Sequence, residues 1–428
     1  MVVRALSNSI YACGQLGISP PADWVQRFWL ACALKFDDFN PQDLSNTLYA
    51  CGQLGISPPG DWMKRYWEAS AAKLGEFTEQ GLSNTMYACG QLGIVPVSHW
   101  QASFWHASAA ALGVFKPQAL SNTIYACGQL GVMPPASWLA RFWEECASKL
   151  GEFSPQHVGN MCFSVGQLGI TPPADVLQRF WRVSADKMVI FKSQELTNCV
   201  FAFARLDAKP PAYWVEQYAR VSERLLPYMK EQDLANSALA LATLALWELP
   251  LWPLLWARLC SSLPRDTAGW SAENRLQARQ LYQVHQAATM ERPGLPEPEP
   301  ELLAAVRKCW VNQARGEQES RSSSRLHQEV SACLTQMGVA HVNERWCERA
   351  ERLIDIAIEG ASAPVALEVD GPYHFLQDGR QDGSTLLRNR MLAAHGWRVV
   401  KVGFREWQHE LRTGEEREEY LRRLLASQ

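Results

Sequence analysis

The chain has 428 residues, 47% apolar and 20% charged, so it is long enough for two or three domains and too apolar to be disordered as a whole. Its 41 Lys and Arg stand against 44 Asp and Glu, a net charge of −3, which excludes a globally basic nucleic-acid or membrane-surface protein. No apolar run reaches the length of about eighteen residues that a membrane helix needs, so no membrane partner is expected. The N-terminus (Met1-Val2-Val3-Arg4) lacks the layout of a secretory signal and runs straight into a repeat, the pattern expected of a truncated start, with no targeting segment visible.

The repeat has a period of 38 residues. Asn8, Asn46, Asn84, Asn122, Asn160, Asn198 and Asn236 follow it without exception. Trp24, Trp62, Trp100, Trp138, Trp214 and Trp252 follow it too, and only Val176 breaks that series. Each copy reads as two helices. Leu44, Leu48, Cys51 and Leu54 recur at helical spacing, and Gly55 ends the first helix. Pro58-Pro59 opens the second, Asp61 complements its N-terminus, and Trp62, Tyr66, Ala69 and Leu74 form its apolar stripe. Such a pair cannot bury its own faces, but stacked copies can, so an α-solenoid is expected. Cys13, Cys51, Cys89 and Cys127 fall at one repeat position on an otherwise small and apolar face, which predicts buried thiols and a reducing compartment. The tryptophans are expected to pack between helices and between repeats.

A 38-residue helical pair carrying Pro20-Pro21-Ala22-Asp23-Trp24, Pro58-Pro59-Gly60-Asp61-Trp62 and Pro134-Pro135-Ala136-Ser137-Trp138 resembles the octotricopeptide repeat. The resemblance covers about Val2 to Trp270, with departures at Val97, His99, Val176 and in the eroded seventh copy. It implies binding of single-stranded organellar RNA at about one nucleotide per repeat. The first helix carries a polar side that packing does not require: Ser45, Asn46, Tyr49 and Gln53. An Asn amide suits a base edge and a Tyr ring can stack a base, so Asn46, Thr47 and Tyr49, Asn84, Thr85 and Tyr87, and Asn122, Thr123 and Tyr125 are the candidate RNA-binding residues. The alternative for the invariant Asn is a backbone bond between repeats. Base choice needs variation, which occurs at the residue after the Asn (Ser9, Thr47, Thr85, Thr123, Met161, Cys199, Ser237) and at the residue before the Leu (Asp43, Gly81, Ala119, His157, Glu195, Asp233). Discrimination is expected there. Arg27, Arg65, Arg141 and Arg179 recur in the second helices, either as a phosphate-facing stripe or as an outer solvated face.

After Trp270 the period is lost. Ala272 to Met290 reads as a capping helix, and residues 291–325 as a Pro-, Glu- and Ser-rich linker with a short helix from Glu301 to Asn312. Leu326, Val330, Leu334 and Met337 then form a helical stripe. Strands are expected over 353–358, 365–369 and 397–402, with a helix from Ser384 to His395 and two helical segments at the end, an α/β arrangement.

The segment Leu367 to Phe375 (LEVDGPYHF), the helix before Trp397 and Phe404-Arg-Glu-Trp407 together resemble a RAP domain, which implies a small relative of the restriction-endonuclease fold. Asp355 in one strand, with Glu368 and Asp370 two apart in the next, would offer oxygen ligands to Mg²⁺ or Mn²⁺ if the site is active. Asp370 stands where nucleases of this pattern carry Lys. His374 would then act as acid or base, and Lys401 would supply the missing charge. Otherwise the fold binds without cutting, and Glu368 or Asp355 bonds Arg388 or Arg390.

The expected organisation is therefore an α-solenoid of two-helix repeats over residues 1–290, a linker, and a restriction-endonuclease-like α/β RAP domain over residues 326–426. The two resemblances imply an organellar RNA-binding regulator of mRNA or rRNA processing, stability or translation, in the chloroplast or alternatively the mitochondrion. Its partners would be single-stranded RNA and other organellar RNA-processing proteins, and it would require no certain cofactor. The remaining alternatives are a metal-dependent endoribonuclease addressed by its repeats and, favoured by the near-neutral charge, a protein-binding scaffold.

Overall fold

The computed structural model describes residues 2–292, 294–320, 324–359, 363–371 and 375–426. The chain forms two compact units, Met1–Ala202 with Pro210–Tyr218, and Phe203–Lys209 with Ala219–Gln428.

In the first unit, five complete repeats have first helices Val2–Leu16, Pro41–Leu54, Glu79–Leu92, Pro117–Leu130 and Pro155–Leu168. Each ends at a left-handed glycine (Gly17, Gly55, Gly93, Gly131, Gly169) with φ of 64° or 65°. Beyond Gly55, the Ile56 N–H returns to the Cys51 carbonyl at 3.0 Å, closing the helix end. The second helices are Ala22–Ala33, Gly60–Ala71, Ser98–Ala111, Ala136–Lys149 and Ala174–Lys187, and Pro21, Pro59, Pro135 and Pro173 stand at four of their starts. Leu74 does not belong to the second helix as expected. That helix ends at Ala71, and Leu74 opens a 3-10 turn, Leu74–Glu76, with counterparts in the other copies. Lysines fasten these turns together: Lys73 Nζ donates to the Asp37 and Phe39 carbonyls at 2.9 and 2.6 Å, and Lys149 and Lys187 reach Gly113 and Gly151 of the preceding copy.

The two helix layers pack by different means. First helices meet glycine on alanine. A β-carbon on Gly52 would stand 3.2 Å from Ala88 Cα, and one on Gly90 only 3.0 Å from Ala126 Cα, so the backbones approach as closely as they do only because no side chain intervenes. Second helices meet through tryptophan: Trp29 on Trp62, Trp67 on Trp100 and Trp105 on Trp138, with ring centroids 5.0, 5.0 and 5.2 Å apart. The buried indole N–H groups need acceptors. Trp100, Trp138 and Trp214 donate to Ser70, Ser108 and Ser184 of the preceding copy at 2.9, 3.0 and 2.9 Å. The fourth copy holds Cys146 at the position of that serine and the fifth holds Val176 in place of tryptophan, so at this junction donor and acceptor are both absent. Trp62, whose counterpart serine is Cys32, keeps a buried N–H with no partner among the described residues.

The second unit contains the last first-type helix, Glu231–Thr243, its partner Trp252–Ser262, and the capping helix Ala272–Glu291. The expected linker differs: a helix of 21 residues, Pro300–Ser320, replaces the short one and packs on the capping helix. Helix Arg325–Gln336 precedes a four-stranded sheet of β1 (Val342–Cys347), β2 (Arg352–Ile358), β3 (Val365–Asp370) and β4 (Arg398–Gly403), in that order across the sheet. β1–β2 and β2–β3 are antiparallel, and β3–β4 are parallel across helix Gly383–Ala394. β1 adds a fourth strand to the three expected; its mostly polar sequence, VNERWC, carries no alternating apolar signal. Leu326, Val330, Leu334, Ile356, Leu367, Val402, Trp407 and Leu421 share one core, which closes the terminal helix Gly414–Ala426 onto the sheet. Among the described residues, no helix is long and apolar enough to cross a membrane.

Candidate nucleic-acid interface

The first helices place Asn46, Tyr49 and Gln53 three and four residues apart, hence on one face. The aromatic rings of successive copies form a ladder: Tyr49–Tyr87, Tyr87–Tyr125 and Tyr125–Phe163 have centroids 6.4, 6.2 and 5.3 Å apart. Burial, and then the neighbouring phenols Tyr87 and Tyr11, raise the pKa of Tyr49, which keeps its hydroxyl a neutral donor. On one side of the ladder Asn46, Asn84 and Asn122 are half-buried, and their amides form no hydrogen bond among the described residues. Gln53, Gln91 and Gln129 are exposed on the other side, and Gln15 Nε2 donates to Gln53 Oε1 at 3.2 Å. The first helices of copies two to five contain neither Lys nor Arg, so this face offers rings and amides without cations.

Two expectations change here. The residue after the Asn is not on this face. Thr47, Thr85 and Thr123 are 1, 0 and 0% exposed, and the Thr47 and Thr85 hydroxyls donate to the Asp43 and Gly81 carbonyls one turn back at 2.7 and 2.8 Å. A shift of one residue turns a side chain by about 100° round a helix, from the open face into the packed one. Asp43, Gly81 and Ala119, before the Leu, are buried as well. The backbone bond between copies belongs to the serine rather than to Asn46, Asn84 or Asn122: Ser7, Ser83 and Ser121 donate to the Asp43, Ala119 and His157 carbonyls of the next copy at 3.1 to 3.4 Å. Asn198 of the sixth copy does make such a bond, to Gly159 O at 3.4 Å. The glutamines and the first copy's Asn8 and Tyr11 were not among the candidates, although spacings of three and seven residues place them on the same face. The second-helix arginines are exposed and partly engaged, with Arg27 paired to Asp23 at 2.8 Å and Arg65 bonded to the Ala33 carbonyl at 2.7 Å.

In the α/β domain, β2 carries Asp355, β3 carries Glu368 and β4 carries Lys401, with Glu368 and Lys401 in register. Helix Gly383–Ala394 extends Arg388 across them. Its guanidinium stands 2.6 Å from Glu368 Oε2 and 3.9 Å from Asp355 Oδ1, and it donates to the Leu353 carbonyl at 2.7 Å. Asp355 Oδ2 accepts the Val369 N–H at 3.0 Å, and Lys401 bonds the Gln381 side chain. Glu368 is 1% exposed. A divalent cation between these carboxylates would have to share their oxygens with a guanidinium, so Asp355 and Glu368 do not fit an Mg²⁺ or Mn²⁺ centre as they stand. Among the described residues no group of three His, Cys, Asp or Glu is placed to hold a metal. The side chain of Asp370, and His374, lie outside the described residues.

Comparison with known proteins covers most of this architecture. Residues 367–424 match the RAP domain family. Residues 2–115 and 109–247 match the family described as Tbc2 translation factor, N-terminal domain. A protein of Oryza sativa subsp. japonica, "RAP domain-containing protein, chloroplastic", is 28% identical over 187 residues, which cover 42% of this chain and 27% of that protein. The match thus spans about a quarter of that relative's length.

Proposed function

The chain belongs to the Tbc2 translation factor N-terminal-domain family, and on that premise we propose that it is an organellar RNA-binding protein that regulates the processing, stability or translation of a transcript. Family membership and the RAP domain point to RNA and organellar gene expression. The name of the rice relative favours the chloroplast. The observation that carries the reading is the row of unbonded Asn amides beside a half-buried tyrosine ladder. Groups of this kind bind bases by stacking and by amide hydrogen bonds. Asn46, Tyr49, Asn84, Tyr87, Asn122 and Tyr125 are the contact residues. Single-stranded RNA is the direct partner, alongside other RNA-processing proteins of the organelle.

The RAP domain in this reading binds or protects an RNA end without cutting it, which the pairing of Arg388 with Glu368 supports. Titration of the whole chain with single- and double-stranded RNA at several salt concentrations tests the first part. Single strands should bind, with a salt slope of about −1 or shallower, since few phosphates meet cations on the repeat face. Absence of binding to any single strand would refute the reading. Incubation with RNA and Mg²⁺ or Mn²⁺ tests the second part: cleavage that Asp370→Ala abolishes would replace it with the nuclease reading.

A further inference from the structure

Four consecutive repeats present the same three side chains on the open face: Asn8, Tyr11 and Gln15; Asn46, Tyr49 and Gln53; Asn84, Tyr87 and Gln91; Asn122, Tyr125 and Gln129. Much of their setting is shared. The serine before each Asn bonds a backbone carbonyl, of the next copy for Ser7, Ser83 and Ser121 and of Gln42 in its own helix for Ser45, the glycine before each Gln holds the next helix close, and the ladder steps Tyr49–Tyr87 and Tyr87–Tyr125 agree within 0.2 Å (6.4 against 6.2 Å). Between the Asn and the Gln of each copy only two positions vary, Ser9 against Thr47, Thr85 and Thr123, and Ile10 against Leu48, Met86 and Ile124, and both are buried in copies two to four. The run ends in the fifth copy, where Phe163 removes the hydroxyl.

Identical readers at a fixed pitch cannot select different bases. An amide recognises a base by matching its donor and acceptor to that base's edge, and four such matches in the same geometry require the same edge four times. A helical-repeat protein that reads about one base per repeat then takes a run of one nucleotide. We infer that the first four repeats bind a homopolymeric single-stranded RNA tract of about four identical nucleotides. The inference rests on the RNA-binding reading above and narrows its substrate class.

The test is fluorescence anisotropy of the full chain with ten-nucleotide oligo(A), oligo(U), oligo(C) and 7-deaza-oligo(G), against a ten-nucleotide RNA of mixed sequence in which no base occurs twice in succession. One homopolymer should bind at least about tenfold more tightly than the mixed RNA, from several lost hydrogen-bond matches in the latter. Asn84→Ala should reduce that preference while leaving the melting temperature unchanged. If all strands bind within about twofold of each other, the homopolymer inference falls and RNA binding stands. If none binds, the RNA-binding reading itself falls and takes the inference with it.

Discussion

In the repeat array the amides of Asn46, Asn84 and Asn122 face outward with no hydrogen bond among the described residues, while in the α/β domain Glu368 and Asp355 are met by Arg388 and by a backbone N–H. Both regions carry chemically capable side chains in a regular pattern. Their settings differ. A polar group that the protein leaves unpaired on a half-exposed surface is available to a ligand, whereas a carboxylate that the protein has already neutralised stabilises the domain.

The largest effect should come from breaking the satisfied side. Arg388→Ala leaves a buried carboxylate without its cation and should destabilise the α/β domain by about 3–5 kcal/mol in denaturant unfolding, a loss that Arg388→Met combined with Glu368→Leu should recover. An unchanged midpoint accompanied by new Mn²⁺ binding would instead mean that the arginine holds a metal site shut, and the contrast between the regions would collapse. Next comes the unsatisfied side. The triple variant Asn46→Ala, Asn84→Ala, Asn122→Ala should weaken RNA binding about 100-fold in anisotropy titrations, at roughly one hydrogen-bonded amide per repeat, with the melting temperature held. A drop in melting temperature with affinity preserved would assign these amides to folding.

Ser108→Ala tests the tryptophan layer. It orphans the buried Trp138 N–H and should cost about 1–3 kcal/mol of stability, while Cys32→Ser gives Trp62 an acceptor and should raise stability by about 1 kcal/mol. The smallest effect is expected for Thr85→Val. RNA affinity should stay within about twofold, because the hydroxyl bonds its own helix. A changed base preference in that variant would restore the threonine as a reader.

Much of the array was legible because its rules are local. The left-handed cap at Gly55, the proline that starts each second helix and the 38-residue stacking all follow from residues close in sequence. The polar face was legible to within one residue, and that one residue decided the matter: Asn46 and Thr47 are neighbours in the chain and point in different directions. The serine-to-tryptophan pairs span 30 residues and leave no local pattern in the sequence. In the α/β domain, strand alternation placed Asp355 and Glu368 side by side. The third partner arrives from a helix twenty residues further along, so the choice between metal and Arg388 depended on tertiary structure. The polar strand β1 and the long helix Pro300–Ser320 carried too little pattern to be read.

Arg390, two residues from Arg388, donates to the carbonyls of Thr243 and Ala242 at 2.7 and 2.8 Å and to Glu291 at 3.0 Å. Those carbonyls end the last first-type helix, where Ala245 stands at the position of the glycine in copies one to five and adopts a φ of 53°. Gly383, at the start of the same domain helix, leaves room for the Ala204 carbonyl, which a β-carbon there would overlap. The RAP domain is therefore also the terminus of the helices before it, so its excision would uncover them. The phenotype of such a deletion mixes lost recognition with unfolding, and point variants at Arg390 and Gly383 are the means of separating the two.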